Sequence, residues 1–119
     1  MAASLSITGF HDSVDYKVVR CTTIEDATVI VNATGGAGTL YSVVIDSTNS
    51  SDDVSLHILD GKTETVTQIA FRGVASSVKT AQIPTGFAFE MLNFWVSDSS
   101  AEDDTTDFAG SVDISLLCS

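Results

Sequence analysis

Apolar and polar residues alternate with period two from one end of this chain to the other, and no stretch sustains the 3.6-residue period of an amphipathic helix. Successive side chains of a strand point to opposite faces, so the pattern confines the fold to β-strands with one covered side. Nine segments carry it. Residues 4–8 place Leu5 and Ile7 together, and residues 14–21 alternate from Val14 onward. Residues 28–32 are apolar on both faces, as a strand covered on both sides is. Residues 40–46 set Tyr41, Val43 and Ile45 on one face, and residues 54–58 set Ser55 and His57 outward between three aliphatics. Residues 66–72, 77–83, 87–96 and 110–118 complete the series, the second of these stopping at Pro84 and the last placing Val112, Ile114, Leu116 and Cys118 together.

Polar turns separate these segments, with Asp60-Gly61 the strongest because Gly accepts the positive φ of a tight turn. The expected fold is therefore all-β: one domain over residues 1–119, an antiparallel, jelly-roll-like sandwich of about eight or nine strands. Composition agrees, since Ser and Thr fill 30 of 119 positions and Val and Ile are frequent.

The formal net charge of −11, from 16 acidic and 5 basic residues, excludes several function classes. Lys17, Arg20, Lys62, Arg72 and Lys79 are too few and too scattered to neutralise phosphates, so neither nucleic acid nor an anionic membrane is an expected partner. The N-terminal residues lack the basic and continuous apolar regions of a signal peptide, and folding in a cytoplasm is expected. Cys21 and Cys118, far apart in sequence, are expected as free buried thiols, a bridge between the chain ends being the alternative.

No motif carries enzyme chemistry, and no cofactor is expected. The run Gly35-Gly36-Ala37-Gly38 leads into a strand rather than a helix, so its amides do not form a phosphate cradle. His11, Asp12 and Ser13 are sequence neighbours without a nucleophile elbow, and His11 and His57 with the two cysteines lack zinc-ligand spacing. Acidic turns at 47–53 and 98–107 are rich in oxygen donors; Asp103, Asp104 and Asp107 are the calcium option, set against a plain reading as solvated turns. Paired carboxylates for glycoside cleavage carry little weight, because sixteen acidic residues guarantee some close pair. Trp95, Phe94 and Tyr41 lie in apolar alternation that suits a core or a subunit interface, and they are the interface candidates.

Residues 40–49, Leu-Tyr-Ser-Val-Val-Ile-Asp-Ser-Thr-Asn, followed by a polar turn and residues 54–60, Val-Ser-Leu-His-Ile-Leu-Asp, resemble small structural proteins of tailed bacteriophages, especially those of cyanobacterial and marine phages. Residues 83–89, with Pro84 and Gly86, are similar to an apolar edge and turn in the same proteins. The resemblance spans about residues 38–96; His57 and Ile58 depart from the basic and aromatic residues usual there, and the acidic loop at 98–107 is longer. It implies a non-enzymatic virion component on the outer capsid surface, a head decoration (cement) protein bound to the major capsid protein. It further implies a symmetric homo-oligomer, a trimer on a capsid symmetry axis. The alternative is a receptor- or carbohydrate-binding module of a tail fibre.

Overall fold

The computed structural model describes residues 4–11, 14–61, 69–98 and 106–119, the side chains of residues 4, 7–11 and 14–16 excepted. Eight strands lie among them: β1 Ser4–His11, β2 Val14–Ile24, β3 Gly38–Asp46, β4 Val54–Asp60, β5 Ile69–Gly73, β6 Val78–Phe89, β7 Leu92–Ser97 and β8 Val112–Cys118. They form two antiparallel sheets, one of order β1-β2-β8-β3-β6 and one of order β5-β4-β7.

From β2 onward the chain shuttles between the sheets. It leaves β2 for residues 28–32, returns to β3, crosses to β4 and β5, returns to β6, crosses to β7 and ends on β8. Residues 28–32 belong to the smaller sheet through Ile30, which exchanges backbone hydrogen bonds with Phe94 at 2.7 and 3.0 Å. The resulting order is a jelly roll with β1 added at one edge.

β8 shows how the alternation works. Val112, Ile114, Leu116 and Cys118 are buried, and the residues between them are half-buried. With Val19, Cys21, Leu40, Val43 and Ile45 they meet Val54, Leu56, Ile58, Phe94 and Val96 of the facing sheet in one core.

Four expectations about strand bounds and register need correction. Tyr41 does not share the inward face with Val43 and Ile45. The register shifts between Leu40 and Ser42, so Leu40 and Val43 both point inward and Tyr41 sits in the irregularity. Pro84 does not end β6. That strand is an edge, and Pro84 lies in the four-residue excursion between Gln82 and Phe87 that faces Tyr41, where no ladder N–H is required.

The apolar run 87–96 is two strands rather than one. Asp60 Oδ1 accepts hydrogen bonds from the Glu90 and Met91 N–H groups at 2.9 and 3.0 Å, and Gly61 donates to Met91 O at 2.9 Å. This clamps the corner where the chain changes sheets. Residues 28–32, finally, make one bridge rather than a strand, and Val31 is 55% exposed.

Candidate functional site

The outward face of the five-stranded sheet is built by residues that alternate with the core set. Register places Val18, Leu117, Ser42 and Gln82 in one row across β2, β8, β3 and β6, and Arg20, Ser115, Val44 and Thr80 in the next. Val18, Val44 and Leu117 are half-buried, and with Arg20, Ser42, Ser115 and Leu116 they line an open groove of about 350 Å³. Arg20 is the one charged residue in these two rows, and neither row contains a carboxylate.

Tyr41 stands beside this face. The β6 excursion passes close to it at Gly86, where an added Cβ would overlap Thr39 Cγ2 and lie 3.2 Å from Tyr41 Cε1. Gly86 also has φ +74°, so both space and backbone require glycine.

The smaller sheet is different: both faces of β4 and β7 are buried. Its outer face carries a polar row, Ser55, His57, Asn93 and Ser97, each 0% exposed. His57 and Ser55 were expected to face solvent. They do not, because Ala27 and Val29 pack with Leu59 and Trp95 as a second apolar cluster over this face. The polar groups are satisfied in place. His57 Nε2 lies 2.6 Å from Ser97 Oγ, and Asn93 Oδ1 accepts from Asn32 N at 2.8 Å. Arg72 Nη1 donates to Ser55 Oγ at 2.7 Å and to Asp98 O at 2.9 Å.

A serine within hydrogen-bond reach of a histidine has the outline of an activated nucleophile. Here both side chains are 0% exposed, and the pair is part of the packing. Only the strand pairing brings these residues together: His57 and Trp95 are cross-strand partners and Ser97 is the diagonal neighbour.

The other sequence candidates disperse. Trp95 is 1% exposed and Phe94 0% within the chain, and Tyr41 is half-buried. Asp103 and Asp104 lie outside the described residues, as do Asp12 and Ser13. Asp107 Oδ1 accepts from Ala27 N at 3.0 Å, and no group of three or more His, Cys, Asp or Glu able to hold a metal ion occurs among the described residues.

The acidic turn at 47–53 works as a set of clamps. Asp52 Oδ2 accepts from Ala109 N at 2.9 Å and Asp53 Oδ1 from Ala75 N at 2.8 Å. Asp26 is held below the usual carboxylate range by hydrogen bonds from Thr28.

Cys21 and Cys118 are free and buried. Burial pushes the Cys21 thiol up to about 11, and the Asp113 carboxylate adds to the rise. Burial pushes Cys118 to about 11 as well, against a small opposing effect of Lys17.

No family model matches the chain, and no curated protein matches it in sequence. Among solved structures, the exo-β-1,3-galactanase of Phanerochaete chrysosporium with β-1,3-galactotriose shares 7% identity at a TM-score of 0.39. The likeness covers 96% of this chain and 29% of that one, and at that score it carries no argument about activity.

Proposed function

We propose that this chain is a non-enzymatic virion structural protein of a tailed phage, a decoration protein that binds the outer head surface and ties neighbouring capsid subunits together. The observation that supports this most is the charge distribution. In a chain of net charge −11, the two central rows of the five-stranded sheet hold a single arginine and no carboxylate, around a groove lined by Val18, Val44 and Leu117. Interface centres are depleted in charge and the rim stays polar, which is the pattern of this face against the rest of the chain.

The phage resemblance supports the same face. Its first run is β3 with the turn that follows, and β3 supplies Ser42 and Val44 to the groove; its second run is β4, which backs β3 through the core. The mechanism is mechanical. Each copy buries surface across a joint between capsid subunits, and that area, at about 25 cal/mol per Å², must be re-exposed before internal pressure can part the joint.

The test is addition of the purified chain to undecorated capsids of its own phage. The expected result is binding in fixed stoichiometry with a raised disruption temperature. Absence of capsid association would reject the proposal.

A further inference from the structure

Two sheets have four lateral edges, and three of them are guarded. β6 carries Lys79 and Pro84, β5 is five residues long and carries Arg72, and residues 28–32 offer a single bridge. Charges, proline and shortness are the usual protections against unwanted strand pairing. β1 has none of these. It is eight residues long, sits at the edge of the larger sheet, and contains no Asp, Glu, Lys, Arg or Pro.

Leu5, on its inward side, is also uncovered. Leu5 is the cross-strand partner of Cys21, which is 1% exposed in the core, yet Leu5 is 42% exposed. β1 packs chiefly on β2.

We propose that β1 is a self-association edge, pairing antiparallel with β1 of a second copy across a twofold axis and joining two five-stranded sheets into one. The chemistry selects this occupant. An extended edge without charge is matched by an extended strand without charge, and β1 is itself such a strand. A basic or acidic peptide would find no counter-charge on it. Two copies of a −11 chain repel elsewhere, and this edge lets their backbones meet without bringing carboxylates on the paired strands face to face. A twofold contact is isologous, so one segment serves both sides.

The inference stands on the edge and not on the virion role, and its test needs no capsid. Sedimentation of the purified chain over a concentration series should show the mass rise from 12.5 kDa towards twice that value. Leu5→Lys and Ser6→Lys should remain at the monomer mass with unchanged circular dichroism. Val78→Lys, on the opposite edge where Val78 is already 57% exposed, should dimerise as the wild type does. Should the β1 variants fail to fold, amide exchange on the wild type decides: β1 amides should gain protection as concentration rises. A wild-type mass fixed at one chain, a rise towards three chains, dimers undisturbed by both β1 lysines, or β1 protection independent of concentration would each overturn it.

Discussion

The His57 and Trp95 rings lie stacked, with centroids 4.5 Å apart and planes 4° from parallel, on the covered outer face of the three-stranded sheet. This pair holds a polar row inside the molecule. Trp95 supplies the apolar contact with Ala27 and Leu59, and His57 reaches across to Ser97. Trp95→Ala should therefore cost about 3–5 kcal/mol of folding stability, as removal of a buried aromatic does. Urea unfolding of the dilute chain measures it. A variant of wild-type stability that failed only in assembly would place Trp95 at an interface instead.

Ser97→Ala removes the hydroxyl 2.6 Å from His57 Nε2 while keeping the backbone. Both residues are 0% exposed, so water does not replace the lost partner. The expected cost is about 1–3 kcal/mol, read as a lower urea midpoint with an unchanged slope.

The thiols predict an alkaline limit. Both are raised from 9.0 to about 11, so between these values the folded chain keeps protons that the unfolded chain has released. Stability from this source is fully present below pH 9 and falls as pH rises towards 11. Thermal unfolding across that range should show the decline, and a Cys21→Ala, Cys118→Ala variant should lack this part of it even if it is less stable throughout. The native thiols should also resist alkylation at neutral pH, since the thiolate is the nucleophile.

Thr23 interrupts the β2–β8 register with φ 60°, a conformation that β-branched residues rarely adopt. Its N–H donates to Asp113 Oδ1 at 2.8 Å, and this bond survives a change of side chain. Thr23→Asn should stabilise the chain by about 1 kcal/mol, because Asn tolerates this region better. A lowered melting temperature would count against strain at Thr23.

Gly86→Ala should do the reverse. A Cβ there meets Thr39 and Tyr41 at the edge of the outward face, in a backbone conformation that already excludes most residues. A loss of about 1–3 kcal/mol is expected. Displacement of Tyr41 should also appear as a change in near-ultraviolet circular dichroism.

Alternation made much of this fold legible, and β8 follows it without exception. It misled where something other than alternation set the side-chain direction. At Tyr41 an irregular register, opposite four residues of β6 with Pro84 and Gly86 among them, adds one step to the count and turns Leu40 inward. At Ser55 and His57 the alternation is correct, but Ala27 and Val29 cover the face it points to, a tertiary event with no local signature. The break of the 87–96 run depends on Asp60, some thirty residues away, accepting two amides. The candidate face was less legible still. Its apolar residues, Val18, Val44 and Leu117, come from three strands far apart in sequence, and only the sheet order assembles them.

That face is the centre of the functional account, and one charge placed in it tests the account directly. Val44 lies half-buried in the groove, between Ser115 and Thr80, so Val44→Asp alters an outward position and leaves the core intact. Binding of wild type and variant to undecorated capsids should be compared by co-sedimentation, with the melting of each free protein as control. The account predicts saturable binding of the wild type and loss of binding by the variant at similar fold stability. Equal binding by a folded Val44→Asp chain would contradict it.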